Sequence, residues 1–133
     1  GATFVDFPTL LRESDFLSIH CPLNPQTRKL FNAEAFAQMK KGAIVINTAR
    51  GGVLDQDALL EAVRSGHLGG AGLDVTDPEP IAPDHPLLQQ ERIIVVPHIG
   101  SSTVRTRTRM ADLAVDNLLA GLRGEPLKHQ VKI

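Results

Sequence analysis

Along the chain, short apolar runs alternate with segments whose apolar residues recur at helical spacing. Phe16-Leu17-Ser18-Ile19-His20 reads as a strand, closed by Cys21-Pro22. Asn32 is placed to cap a helix running to Met39, and Lys40, Lys41 and Gly42 supply C-terminal cations and a terminator. Ala43-Ile44-Val45-Ile46-Asn47 is apolar up to its last residue, the pattern of a strand buried on both faces. Asp55 then caps a helix from Gln56 to Arg64, stopped by Ser65-Gly66. Gly70-Ala71-Gly72-Leu73-Asp74-Val75 predicts a short strand whose small residues admit a close neighbour.

Pro78, Pro80, Pro83 and Pro86 punctuate a loop without periodicity, and loops of that length are often functional. Ile93-Ile94-Val95-Val96 predicts another buried strand, stopped by Pro97. From Ser102 or Thr103 to about Arg123, a helix carries Met110, Ala114, Leu118 and Leu122 on one stripe, widened by Val115 and Leu119. Strands alternating with helices predict an α/β fold with a parallel sheet and right-handed crossovers. Ligands of such sheets bind outside the carboxyl ends of the strands. Those ends carry the unusual residues: His20-Cys21, Asn47-Thr48-Ala49-Arg50-Gly51-Gly52, Asp74, and His98-Ile99-Gly100-Ser101. Four strand ends converging on one rim predict a site.

Composition narrows the class. The 133 residues suit one ordinary domain, with 42% hydrophobic and 22% charged residues, values typical of globular chains. The net charge of −1 leaves no nucleic-acid footprint and no polybasic membrane patch. No apolar run approaches a bilayer span, and no signal peptide opens the chain. The lone Cys21 rules out an internal disulfide, and no Cys/His cluster has zinc spacing. With five Phe and neither Tyr nor Trp, the core must rest on Val, Ile, Leu and Ala. Gly1-Ala2-Thr3-Phe4-Val5 reads like the middle of a fold, so a segment of a longer protein is expected. Targeting cannot then be read from the first residues.

Several residues could carry chemistry. Arg50 sits between an apolar strand and two glycines, where the backbone can approach a ligand; its fork suits a carboxylate. An arginine capping neighbouring carbonyls is an equal alternative. His98, after a strand, has the residue type of an acid or base near neutral pH, against the plainer reading of a satisfied polar residue. Glu79 alone reads as a solvated charge, yet beside an imidazole it would favour the protonated ring. Asp74 suits a loop cap. Cys21 suits a small packed side chain, and His20, His67, His85 and His129 show no partner pattern.

Taken in order, four strings resemble the D-2-hydroxyacid dehydrogenases. They are Ser14 to Leu23 (SDFLSIHCPL), Met39 to Gly52 (MKKGAIVINTARGG), Gly72-Leu73-Asp74-Val75 with Glu79-Pro80, and Pro97-His98-Ile99-Gly100-Ser101-Ser102. His85-Pro86-Leu87-Leu88, Arg105-Thr106-Arg107 and Asn117 to Pro126 are similar to the animal glyoxylate/hydroxypyruvate reductase branch. The resemblance implies that Arg50 binds the substrate carboxylate and carbonyl, that His98 is the acid/base, and that Glu79 is its carboxylate partner. It implies Asp74 near the nicotinamide, with Cys21, Pro22, Thr48, Ala49 and Gly100 also lining the dinucleotide. Ile99, Gly100 and Ser101 would lie beside the substrate.

The same resemblance implies NADP or NAD as cofactor, a small 2-oxo or 2-hydroxy acid as substrate, and a homodimer at full length; charge, hydropathy and Cys/His spacing point to no nucleic acid, membrane or metal, and the cytoplasm is the default compartment. The family's G-x-G-x-x-G turn does not occur here. Residues 1–101 are therefore expected to be the later part of a dinucleotide-binding domain, and residues 102–133 a helix and tail returning to a substrate domain. A dinucleotide-sensing corepressor on the same fold is the rival. The Ile99-Gly100-Ser101-Ser102 continuation and the absence of Trp favour the reductase. An inactive truncated product is the third reading. Val131-Lys132-Ile133 is no peroxisomal tripeptide.

Overall fold

The computed structural model describes residues 1–130, so the expectation about Val131-Lys132-Ile133 lies outside the described residues. The chain divides into two compact units, Gly1–His98 and one beginning at Ile99. The first is an α/β layer around four parallel strands in the order β1 (Phe16–Ile19), β2 (Ile44–Asn47), β3 (Gly70–Leu73) and β4 (Ile93–Val95). Ile19 stands beside Asn47, Asn47 beside Leu73, and Leu73 beside Val95. That register brings the carboxyl ends of all four strands level along one edge.

Helices α1 (Phe7–Glu13), α2 (Ala33–Gln38) and α3 (Gln56–Arg64) accompany the sheet. Asn32 accepts from the Ala35 N–H, and Asp55 from the N–H groups of Asp57 and Ala58, so both expected caps form. The helix α1 was not expected. Asp6 accepts from the Thr9 N–H and Pro8 sits in the first turn, a start signal ahead of only seven helical residues. Inward-facing Leu17, Ile19, Val45 and Leu73 meet Leu11, Phe36, Leu59 and Val63 in one buried core. Phe7 adds an edge-on contact to Phe31, with ring centroids 5.4 Å apart.

The expectation of strands buried on both faces is corrected. In β2 only Val45 and Asn47 are buried, while Ile44 and Ile46 are half-buried. On the same open face Phe16 is 71% and Ile94 67% exposed. An apolar run is compatible with either arrangement, and within the first unit nothing covers this face. The close neighbour expected at the glycine-rich strand is the chain itself. A Cβ on Gly70 would stand 2.6 Å from the Arg92 carbonyl oxygen. Both this strand and the next are shorter than expected, ending at Leu73 and Val95, and the proline-rich loop carries a short 3₁₀ turn at Pro86–Gln89 that buries Leu87.

The second unit is built on α4 (Val104–Leu122), capped by Thr103 rather than Ser102. No α4 residue is buried, and Met110, Leu118 and Leu122 of the expected stripe are exposed.

Asp55 links fold to pH. Its carboxyl is held below the usual carboxylate range, first by the hydrogen bond from Lys29 Nζ at 2.9 Å and then by the Ala58 N–H. A lowered folded-state pKa means that the ionised form stabilises the fold. The contribution is complete above the unfolded pKa of about 4 and is lost as pH falls through the lower folded value. Asp55→Ala is expected to cost about 1 kcal/mol at neutral pH through the lost cap. Denaturant unfolding of both proteins across the acid range checks this: the gap between them should close as pH falls.

Candidate active site

The site begins with a buried amide. Asn47, the last residue of β2, is fully buried, and its Nδ2 donates to the Arg50 carbonyl at 3.0 Å. Its Oδ1 accepts from the Ala49 N–H at 3.0 Å, and its carbonyl accepts from the Asp74 N–H at 2.9 Å. One residue thus shapes the Arg50 turn and ties it to the end of β3. The sequence reading gave Asn47 no role. The available signal was an Asn ending an otherwise apolar strand.

Arg50 is exposed, and its Nη1 donates to the Ala49 carbonyl at 2.7 Å, the capping arrangement left open above. The following Gly51 meets protein backbone rather than a ligand. A Cβ there would lie 2.0 Å from the Thr76 carbonyl carbon. The turn after β2 therefore presses directly on the segment after β3. That segment starts at Asp74, which is buried. Thr76 Oγ1 donates to the Pro78 carbonyl at 2.9 Å, and the Asp77–Pro78 and Glu79–Pro80 peptides are cis.

His98 follows β4 with a φ of +53° and an N–H bonded to the Val96 carbonyl at 3.0 Å. Positive φ is uncommon outside glycine, and residues held there cluster at functional sites. His98 Nδ1 lies 2.6 Å from Glu79 Oε1. The Glu79 carboxyl is held below the usual range, chiefly by this hydrogen bond, with smaller help from the charges of His98 and Arg50. With Nδ1 turned to Glu79, Nε2 is the ring atom available for proton exchange.

Two openings lie along the strand ends. One, of about 430 Å³, is lined by Asp74, Thr76, Glu79, Ile81, Val95 and His98. The other, of about 620 Å³, is lined by His20, Cys21, Pro22, Thr48, Ala49 and Arg50. Arg50, Asp74 and His98 thus follow adjacent strands at the same edge, Arg50 on one opening and Asp74 with His98 on the other. Ile99, Gly100 and Ser101 belong to the second unit, where the Ile99 carbonyl accepts from the Ser102 N–H at 2.8 Å. Among the other histidines, His67 Nε2 donates to the Phe36 carbonyl, His85 Nδ1 accepts from the Leu87 N–H, and His20 Nε2 is 2.8 Å from Ser18 Oγ.

The larger opening sits outside the strand ends, where ligands of parallel sheets bind, and has Pro22, Ala49 and the Thr48 side chain on its lining, residues that can hold part of a dinucleotide. Among the described residues no cluster of three metal-ligating side chains occurs, and no helix is long and apolar enough to cross a membrane.

Known proteins resemble the chain along nearly its whole length. Residues 1–100 match the family described as D-isomer specific 2-hydroxyacid dehydrogenase, NAD binding domain. Over 132 residues the chain is 49% identical to the glyoxylate reductase/hydroxypyruvate reductase of Homo sapiens, covering 99% of this chain and 40% of that protein. It is similar to the crystal structure of TT0316 protein from Thermus thermophilus, with TM-score 0.93 and 52% identity, over 97% of this chain and 41% of that one. A D-isomer specific 2-hydroxyacid dehydrogenase from Xanthobacter autotrophicus Py2, solved with NADPH and MES, gives TM-score 0.80 and 40% identity, over 95% and 51%. The chain thus spans about 40% of the length of the human relative.

Proposed function

The chain belongs to the D-isomer specific 2-hydroxyacid dehydrogenases, through their NAD-binding domain, and from that premise we propose its activity. Within a chain of its relatives' length, it serves an oxidoreductase that reduces small 2-oxo acids such as glyoxylate and hydroxypyruvate to 2-hydroxy acids. Residues 1–101 are the later part of the dinucleotide-binding domain, and residues 102–133 return to a substrate domain. The observation that carries the reading is the 2.6 Å contact between Glu79 and His98 at the strand ends, on the strand edge that also bears Arg50. Relatives named as reductases favour this over the corepressor, which gains no support from them.

When bound, reduced NADP or NAD supplies the hydride that reaches C2 of the 2-oxo acid. Arg50 swings from the Ala49 carbonyl to the substrate carboxylate, where its planar fork orients the acid and steadies charge on the keto oxygen. Glu79, ionised at neutral pH, holds His98 through Nδ1, and His98 gives the Nε2 proton to the alkoxide. In the oxidative direction Nε2 takes that proton back. Cys21, Pro22, Thr48, Ala49 and Asp74 line the nucleotide. The exposed stripe of α4 offers a surface for a homodimer, and soluble substrates suit the cytoplasm.

Two results test this. Glu79→Gln removes the carboxylate that holds His98 through Nδ1, so the rate of reduction at neutral pH should fall. An unchanged rate, measured with chemistry rate-limiting, would detach Glu79 from His98. The 133 residues alone should neither reduce glyoxylate nor stay monomeric, because the open sheet face bearing Phe16 and Ile94 invites association. A monomeric, active 133-residue protein would overturn the assignment to a longer chain.

A further inference from the structure

Glu79 lies on a loop outside any helix or strand, with its side chain 42% exposed, so local secondary structure does not fix it. We propose that Gln56 is the positioning residue for Glu79: its carboxamide clamps the Asp77 peptide and thereby seats the carboxylate against His98. The inference rests on the reading of the Glu79–His98 pair given above.

Gln56 opens α3 and is buried, although nothing in its position on the helix demands an amide. Its Nε2 donates to the Asp77 carbonyl at 2.8 Å, and its Oε1 accepts from the Asp77 N–H at 2.9 Å. Two bonds to one residue's backbone fix both its distance and its orientation, as a paired strand would. Asp77 stands two residues before Glu79, and the residue between them, Pro78, is held at its carbonyl by Thr76 Oγ1. The Asp77 side chain contributes less, since it is half-exposed and only 3.7 Å from Arg28 Nη1.

Asp55, the residue before Gln56, caps α3 and is held by Lys29. A carboxylate at position 56 would set an oxygen against the Asp77 carbonyl. An apolar side chain would leave the donor and acceptor of Asp77 unpaired.

The test uses the full-length protein, with active sites counted by titration with reduced nucleotide. Gln56→Met keeps the length and apolar stem of the side chain but has no comparable hydrogen-bonding groups. It is expected to lower kcat roughly tenfold per active site, as slight misplacement of a reacting group does, while nucleotide affinity is unchanged. Glu79→Gln should lower kcat at least as far, and the double variant should be no slower than Glu79→Gln alone, because Gln56 acts through Glu79.

Full kcat in Gln56→Met, or losses that multiply in the double variant, would overturn the clamp and leave the Glu79 assignment standing. Full kcat in Glu79→Gln would overturn that assignment and the clamp with it. If Gln56→Met does not fold, Gln56→Glu carries the same test: it keeps an oxygen for the Asp77 N–H but turns the other against the Asp77 carbonyl, so kcat should fall and the loss should not multiply with that of Glu79→Gln, whereas full kcat would overturn the clamp.

Discussion

Replacing Arg50 with lysine in the full-length protein is expected to slow turnover on the order of 30- to 1000-fold, or about 2–4 kcal/mol of activation free energy. Lysine keeps the charge but not the fork, and its ammonium is a point donor that cannot bind a carboxylate through two parallel bonds. The turn that presents Arg50 does not depend on its side chain, because Asn47 holds the Arg50 carbonyl and the Ala49 N–H. Folding and nucleotide affinity should therefore survive the substitution. An exposed arginine elsewhere, Arg64 of α3, provides the control: Arg64→Lys should leave turnover unchanged. Equal kinetics for Arg50→Lys and wild type would remove Arg50 from the chemistry.

Gly51→Ala is expected to damage the fold and the site together. The added Cβ would fall 2.0 Å from the Thr76 carbonyl carbon and 2.6 Å from the Asp77 nitrogen, both backbone atoms that no rotamer change can move. Relief requires parting the Arg50 turn from the Asp74–Glu79 segment. Overpacking of this kind costs about 1–3 kcal/mol where side chains can adjust, and contact with backbone should reach at least the upper end. Thermal unfolding measures the loss. Turnover per folded molecule should fall as well, since Glu79 moves with the segment. Gly72→Ala, whose Cβ meets nothing within 4 Å, should do neither.

Much of the fold is legible in the sequence wherever local chemistry decides it. The caps at Asn32 and Asp55 follow from an acceptor side chain placed just before a helical period. The alternation of strands and helices carries the parallel sheet, because parallel neighbours need crossovers. What stays hidden depends on partners distant in sequence. Burial on one face or two cannot be told from the run at 43–47, because the apolar pattern is the same in both cases. Gln56 reads as an ordinary helix residue until Asp77, 21 positions on, is beside it.

The candidate chemistry divides in the same way. Strand-end placement alone singles out Arg50, Asp74 and His98, since the ends of a parallel sheet face one edge. Glu79 reads as a solvated charge from its own surroundings, and only resemblance to a family couples it to His98. The positive φ of His98 leaves no trace in composition or spacing, because it is set by the turn closing on the Val96 carbonyl.

The central claim is that His98, seated by Glu79, supplies the proton while reduced nicotinamide is consumed. Its most direct test is a single-turnover measurement on the full-length protein. Enzyme preloaded with reduced nucleotide is mixed with glyoxylate, and the decay of nicotinamide fluorescence is followed in wild type and His98→Gln. The account predicts equal nucleotide affinity and a decay slowed by roughly 100-fold or more in the variant, the loss of a general acid. Decay at the wild-type rate in His98→Gln would contradict it.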